Sequence, residues 1–387
     1  MLSSEYPFLA SDTLTLVQSG EDYFQRLEQI IQDAKQEIHI QTYIFENDVT
    51  GQKIIALLKE AALRQVKIYI LLDGFGSFSL PEELIQDLKE CGINIRFFAP
   101  LFSTNFLYIG RRLHHKVIVS DAKIALIGGI NIADKYRGTQ TELAWLDFAV
   151  QIKDEKKGES LQKLCRTIYH KKARLNKRNL ESALIPFEEN TLKILQNDWL
   201  KRKNEISDAY IKSFRTAKKE IIIVGSYFLP GRRLTNALKK ASRNKVKIKL
   251  ILSGISDVTL SRRASYYIYA TLLKYNVEVY EWNKSVLHGK AAVIDQHWTT
   301  IGSFNLNNLS SYSSIEMNVA INSVDFSNNY LVLLNEIIAQ CERISPESLK
   351  RRNSISSKFI NWLSFWTARL ILIVVTYFPY RRFKKFY

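Results

Sequence analysis

The segment VKIYILLDG at Val66–Gly74 recurs as VKIKLILSG at Val246–Gly254, and this repetition decides the fold class. A second match, AKQEIHI at 34–40 with AKKEIII at 217–223, has a similar offset. Two copies at so long a spacing indicate a duplicated domain rather than a solenoid, whose repeats are shorter and more numerous. Short β-branched runs alternate with amphipathic stretches such as residues 53–64, which predicts α/β sandwich lobes with a largely parallel or mixed sheet.

The duplication divides the chain of 387 residues, which is long enough for two domains that each bury a core. We predict a first lobe at 12–153, a basic helical linker at 154–206, a second lobe at 207–345 and a basic, apolar C-terminal anchor at 350–387. The three cysteines are scattered and form no Cys/His cluster, which argues against a disulfide framework and structural zinc. The first residues are partly acidic and lack an apolar run, so no signal peptide is expected.

Each copy contains an H-x-K-x4-D motif on an apolar run that reads as a strand. The first motif is His114, Lys116 and Asp121, and the second is His288, Lys290 and Asp295. Alternate residues of a strand share a face, so His114 should project beside Lys116 while His115 points the other way. The spacing therefore selects His114 over its neighbour.

Matching polar residues follow each motif. Small residues in the segments 127–131 and 301–305 would let backbone approach a ligand closely. A carboxylate further along each copy is suited to accept from a histidine Nδ1–H and set its tautomer, and an amide could fix the histidine or a phosphate. The predicted supporting residues are Asn131, Asn305, Ser303, Asp147 and Glu316. A lone histidine in a strand is usually structural, but two copies with the same downstream pattern are not an accident.

This constellation resembles the phospholipase D superfamily over about residues 12–345. The resemblance implies that the two lobes are related by a pseudo-twofold axis and that their motifs form one active site. One histidine attacks phosphorus to give a phosphohistidine, and the other protonates the leaving alkoxide. By analogy with the family, His114 is the nucleophile. Lys116 and Lys290 supply charge to the phosphoryl oxygens, Asp121 and Asp295 hold the site together, and neither metal nor other cofactor is required.

Finer features are similar to bacterial cardiolipin synthases of the shorter type, which lack N-terminal membrane helices. The matching stretches are LLDGFGS at 71–77, RRLH at 111–114, GGINIAD at 128–134, WLD at 145–147, SYFLPG at 226–231 and EMNV at 316–319. This resemblance implies transfer of a phosphatidyl group from phosphatidylglycerol to a second phospholipid, with release of glycerol. Water as the acceptor would give phospholipase D hydrolysis to phosphatidic acid, and a nuclease and an inactive membrane scaffold are further alternatives. Arg111, Arg112 and Tyr227 are the predicted substrate-binding residues.

The C-terminal segment favours a lipid partner over nucleic acid. Of a net charge of +17, residues 350–387 contribute nine basic side chains and no acidic one, around an aromatic and apolar stretch at 359–378. Basic groups flank both ends of that stretch, which fits an interfacial or hairpin anchor on an anionic leaflet better than a single span or a packed core helix. We expect phosphatidylglycerol and cardiolipin as partners at the cytoplasmic face of the cell membrane. The acceptor lipid and the oligomeric state stay open.

Overall fold

The computed structural model describes residues 13–100, 102–103, 106–107, 111–170, 190–198, 203–226, 228–256, 258–307, 314–352 and 354–377. They form a mixed α/β fold with two principal sheets, which confirms the class predicted from the strand and helix alternation. The chain divides into two compact units, one within 1–101 and 113–176 and the other within 102–112 and 177–387.

The first unit is built on a sheet whose strands lie in the order β1-β10-β9-β8-β2-β3-β4. The strands β2, β3 and β4, which run to one edge of the sheet, are parallel, and the remaining neighbours are antiparallel. The strands of this sheet are β1 (Leu14–Gln18), β2 (Glu37–Thr42), β3 (Lys67–Asp73), β4 (Asn94–Phe98), β8 (Lys116–Ser120), β9 (Ile124–Gly128) and β10 (Phe148–Lys153). Three short strands outside it lie between β4 and β8 in the chain: β5 (Phe102–Ser103), β6 (Phe106–Leu107) and β7 (Arg112–Leu113). The helices are α1 (Glu21–Asp33), α2 (Val49–Leu63), α3 (Glu82–Glu90), α4 (Asp134–Arg137) and α5 (Glu155–Tyr169).

Helices cover both faces of this sheet, and β2 shows why. Its residues Ile38 and Ile40 join the buried cluster that α1 and α2 complete. On the opposite face, the Gln41 side-chain amide donates to the Cys165 carbonyl of α5 at 2.8 Å. Because successive residues of a strand alternate between faces, one strand can bind apolar helices on one side and a polar helix surface on the other.

The second unit has a sheet in the order β12-β11-β18-β17-β16-β13-β14-β15-β19. From β11 to β15, its order and its parallel and antiparallel pairings are those of the first sheet. Its strands are β11 (Thr191–Asp198), β12 (Lys203–Asn204), β13 (Glu220–Gly225), β14 (Lys247–Ser253), β15 (Val277–Trp282), β16 (Lys290–Ile294), β17 (Trp298–Gly302), β18 (Ser314–Asn322) and β19 (Glu342–Ile344). Its helices are α6 (Glu205–Thr216), α7 (Arg232–Arg243), α8 (Thr259–Lys274), α9 (Val324–Ala339), α10 (Pro346–Arg352) and α11 (Ile355–Tyr377).

The stretch at 154–206 departs from the predicted helical linker. Helix α5 packs on β2 and so belongs with the first sheet, beyond the boundary predicted at 153. Residues Thr191–Asp198 form strand β11, which pairs with β18. The predicted helix is wrong there. The Lys- and Arg-rich composition of the stretch suggested a helix, whereas Leu192 and Leu195 belong to a short strand and are buried by sheet packing.

The C-terminal helix α11 packs along α8. The rings of Phe365 and Tyr267 lie 4.7 Å apart, and Asn361, Ser364 and Ala368 are buried. Large apolar side chains are exposed on the rest of the helix: Phe359, Ile360, Trp362, Leu363, Trp366, Leu370, Ile371, Ile373 and Val374. In the described part of the chain, no helix combines the length and hydropathy that a bilayer crossing needs.

Candidate active site

The first motif lies at the start of β8, in the middle of its sheet. Lys116 opens the strand and is 1% exposed, whereas His114 is half-buried. The Lys116 ammonium donates to the His114 carbonyl at 2.5 Å and lies 5.3 Å from the centre of the Tyr43 ring. The same ring meets the His114 imidazole edge-on at 5.1 Å. Tyr43 therefore supports both groups of the motif, and the sequence analysis missed it.

His115 faces the other side of the strand, as the alternation predicts. It is fully buried, and its Nε2 lies 2.8 Å from the Gln41 side-chain oxygen. Gln41 in turn contacts α5, so His115 takes part in the packing of helix on sheet. Its surroundings are structural rather than those of a reacting group.

The second motif repeats the arrangement at the start of β16, with His288 and Lys290 both buried. The Lys290 ammonium donates to the His288 carbonyl and lies 2.8 Å from His288 Nδ1. An ammonium has only donors, so Nδ1 is the acceptor in this contact and the ring proton sits on Nε2. Lys290 is thus one partner of His288 Nδ1, and the carboxylate expected at this atom stays a prediction.

The two motif aspartates hold the ends of strands together. The carboxylate of Asp121 accepts the backbone N–H groups of Lys35, Gln36 and Glu37 at 2.8–2.9 Å. Asp295 accepts those of Lys218, Lys219 and Glu220 at 2.7–3.0 Å. Both aspartates have a φ of 52°, in the left-handed region that Asp tolerates better than most residues. Each one closes a tight turn against the start of a neighbouring strand, so its role is to position the motif.

The carboxylates downstream of the two motifs, Asp147 and Glu316, are buried, each beside a small residue: Gly129 and Ser303 respectively. Ser303 donates its hydroxyl to Glu316 at 2.5 Å and accepts from the Met317 N–H at 3.1 Å. In the first copy Gly129 takes the place of Ser303, and a Cβ built there would lie 2.3 Å from the Asp147 carboxylate. The shorter acid thus fills the volume that the serine side chain occupies in the second copy.

The two asparagines differ. The Asn131 oxygen accepts from the Ile44 N–H at 3.0 Å, and its amide nitrogen donates to the Tyr136 hydroxyl at 2.7 Å. These two bonds tie Asn131 to the scaffold, and the expectation that it also fixes histidine or phosphate stays a prediction. The buried Asn305 has no hydrogen-bond partner for its side-chain oxygen among the described residues.

A further pair of residues, missed by the sequence analysis, positions the histidines. The Asp73 carboxylate is fully buried and accepts the N–H of Leu113 at 2.8 Å, one residue before His114. Ser253 accepts the N–H of Leu287 at 3.0 Å, one residue before His288. The signal was present in the repeat, where Asp73 and Ser253 occupy the same position in VKIYILLDG and VKIKLILSG.

The structure describes two of the three predicted substrate-binding residues. Arg111 forms an ion pair with the buried carboxylate of Asp198, which gives it a structural task. Arg112 is half-buried, and Tyr227 lies outside the described residues. Within the residues that the structure describes, no group of three or more His, Cys, Asp or Glu side chains could hold a metal ion.

Comparison with known proteins shows a family to which the chain belongs. A family model described as "Cardiolipin synthase, PLD-like domain" matches residues 27–161 and 210–338. Cardiolipin synthase B of Escherichia coli O6:H1 is 33% identical over 356 residues, which are 88% of this chain and 84% of that protein. The minor cardiolipin synthase of Bacillus subtilis is 28% identical over 345 residues, again 88% and 84%.

A solved structure shows the same fold at low sequence identity. The crystal structure of phosphatidylserine synthase from Haemophilus influenzae Rd KW20 matches with a TM-score of 0.73 and 15% identity, and the match covers 95% of this chain and 96% of that one. At this identity the likeness concerns the fold alone.

Proposed function

This chain belongs to the phospholipase D-like cardiolipin synthase family and is a phosphatidyltransferase, and we propose from this premise that it transfers a phosphatidyl group from phosphatidylglycerol to a second phosphatidylglycerol, releasing glycerol. The observation that carries the proposal is the histidine–lysine pair at the start of the inner strand β8 and again of β16. Neutral imidazole is a competent nucleophile near neutral pH, and a lysine beside it supplies the charge that a phosphoryl group requires.

The proposed roles of the two histidines differ. His114 is the nucleophile and forms the phosphohistidine, while His288 protonates the departing glycerol oxygen. To act as the acid, His288 must first carry protons on both ring nitrogens; it then gives one of them to the glycerol oxygen from a single ring nitrogen and returns to neutral imidazole. When the second lipid enters, the same nitrogen accepts the proton of the attacking hydroxyl and the phosphohistidine bond breaks.

We also propose that the two halves are copies of one duplicated domain. The family model matches twice along the chain, and the two sheets share their strand order. The aspartates Asp121 and Asp295 each accept three backbone N–H groups from within the same Ala-Lys-x-Glu segment. Two unrelated domains would not be expected to share the strand order and this aspartate contact, so duplication of one domain explains the match.

The C-terminal helix α11 is proposed to attach the enzyme to the cytoplasmic face of the cell membrane. Its buried positions include Asn361 and Ser364, whereas Trp362 and Trp366 are 42% and 50% exposed. A helix that buries small polar groups and exposes tryptophan is suited to the interface of a bilayer, where indole rings are enriched. Basic residues such as Lys358 and Arg369 would add attraction to anionic lipids.

A lipid assay tests the proposed reaction. Purified full-length protein is incubated with labelled phosphatidylglycerol, with and without phosphatidylethanolamine or added alcohols, and the products are identified by mass. Cardiolipin with glycerol is the expected outcome. Phosphatidic acid as the main product would show a hydrolase instead, and cleavage of DNA without lipid turnover would refute both.

Two histidine variants test the roles. His114→Ala and His288→Ala should each abolish turnover, and a radioactive phosphatidyl donor should label the protein on His114 only. The exposed His297, in the turn after β16, provides a matched control whose replacement by alanine should leave turnover unchanged. Near-normal activity of either motif variant would contradict a reaction that needs both histidines.

A further inference from the structure

We infer that a groove bordered by α7, α8 and α11 binds the phosphate headgroup of an anionic phospholipid in the bilayer surface, as a site separate from the two catalytic motifs. The inference rests on the proposed membrane attachment through α11. It concerns a lipid that is held rather than converted, because the groove contains none of the motif residues.

The groove has the size and chemistry of a headgroup site. It encloses about 220 Å³ and is lined by three cations, Arg232, Lys239 and Arg369, together with the aromatic rings of Tyr267, Tyr275 and Phe365. No carboxylate is found among the described residues that line it. A concave site with clustered cations and no acid is complementary to a phosphate.

Two of the three cations, Lys239 and Arg369, are held by aromatic faces rather than by acids. The Lys239 ammonium lies 4.9 Å from the centre of the Tyr275 ring, and the Arg369 guanidinium lies 5.2 Å from that of Phe365. Arg233, next to Arg232, does pair with Asp208 at 3.1 Å. Within the described residues, the three groove cations have no such ion pair. Their donors and their charge are therefore available to an anion, and the rings keep Lys239 and Arg369 in place.

A second basic cavity also borders α8 and α11. It encloses about 490 Å³, shares Tyr267 with the groove, and is lined among others by Lys274, Lys350 and Lys358. The described lining of this cavity also lacks a carboxylate. The two cavities together form a basic band along the line where α11 packs on α8. A lone solvated lysine or arginine would not account for so many basic residues along this line.

The position of the groove identifies the source of the phosphate. Arg369 lies between Trp366 and Leu370, which are exposed on the face of α11 that the proposed function places in the bilayer interface. A long basic side chain at that depth reaches toward the headgroups while its stem stays among apolar groups. A lipid phosphate is thus presented at the groove, whereas a free phosphate gains nothing from the exposed tryptophans.

A pair of charge-matched variants provides the test. The groove variant carries Arg232→Gln, Lys239→Gln and Arg369→Gln, and the control carries Lys212→Gln, Arg215→Gln and Arg243→Gln, three exposed residues that line neither cavity. Both are made in the His114→Ala background, so that vesicle composition does not change. Binding is then independent of whether the chain transfers phosphatidyl groups. Partition onto phosphatidylcholine vesicles is measured with and without phosphatidylglycerol, at constant ionic strength.

Each basic residue near an anionic membrane surface contributes about fivefold to the partition coefficient. We therefore expect the partition coefficient onto phosphatidylglycerol vesicles to fall about 100-fold in the groove variant and less than about fivefold in the control. Equal losses in the two variants would show unspecific attraction and overturn the site. Unchanged binding of the groove variant would overturn it too. A thermal shift by inorganic phosphate that the groove variant alone loses, with vesicle binding unaffected, would assign the groove to free phosphate and refute the lipid.

Discussion

Gly129 is the position where the buried carboxylate of the first copy can be tested most directly. The change is Gly129→Ala. The added Cβ would lie 2.3 Å and 2.5 Å from the two Asp147 oxygens, well inside van der Waals contact, and Asp147 is fully buried. The carboxylate must move, and it then loses the Phe148 N–H that it accepts at 2.8 Å.

The expected cost follows from these two effects. Overpacking a buried site costs about 1–3 kcal/mol, and a hydrogen bond to a charged group contributes about 1.5–3 kcal/mol. Because the shifted carboxylate keeps part of its bonding, we expect Gly129→Ala to lower the free energy of unfolding by roughly 2–4 kcal/mol. Urea unfolding followed by circular dichroism measures this difference.

Gly225 is the matched control. It is also buried at the end of a strand, but a Cβ there would meet its nearest atoms at 3.5–3.8 Å, which is ordinary contact. Gly225→Ala should therefore change the free energy of unfolding by less than about 1 kcal/mol. If Gly129→Ala were as stable as the wild type, or Gly225→Ala as costly, the steric explanation would fail.

The second copy suggests how to restore the site. There Ser303 and Glu316 form the hydrogen-bonded pair that Gly129 and Asp147 replace in the first copy. Gly129→Ser with Asp147→Glu should be more stable than the sum of the single changes predicts, by about 0.5–3 kcal/mol. Additive effects would show that the two copies are not interchangeable at this position.

Two further predictions concern scaffold groups. Asp121→Asn should lower the free energy of unfolding by about 1–3 kcal/mol, because an N–H donor replaces one of the two oxygens that accept three backbone N–H groups. Lost turnover at an unchanged melting temperature would contradict this positioning role. Burial lowers the pKa of His39 below its usual 6.5, so its contribution to stability is present above that value and is lost as the pH falls through the folded pKa. The melting temperature of His39→Phe should therefore fall less than that of the wild type between about pH 7 and pH 5, and parallel curves would contradict it.

Local hydrophobic and polar patterns in the sequence were enough to predict much of the fold class and of the motif. Period-two alternation was enough to separate His114 from His115, because adjacent residues of a strand face opposite sides whatever they pack against. The alternation of strands and helices, and so the mixed α/β class, followed from the hydrophobic patterns and from the repeat. Strand β11 was missed because it is a strand only through its pairing with β18, which composition over a short window does not reveal.

The order of amino acids by itself determined that each half carries a histidine two residues before the lysine that opens a strand, and an aspartate directly after that strand. Only the tertiary structure decided that Lys290 contacts His288 Nδ1, that Asn131 is committed to Ile44 and Tyr136, and that Asp73 holds the residue before His114. The physical reason is that side-chain direction along a strand is a local property of the backbone. A hydrogen-bond partner, in contrast, comes from whichever group folding brings within about 3 Å.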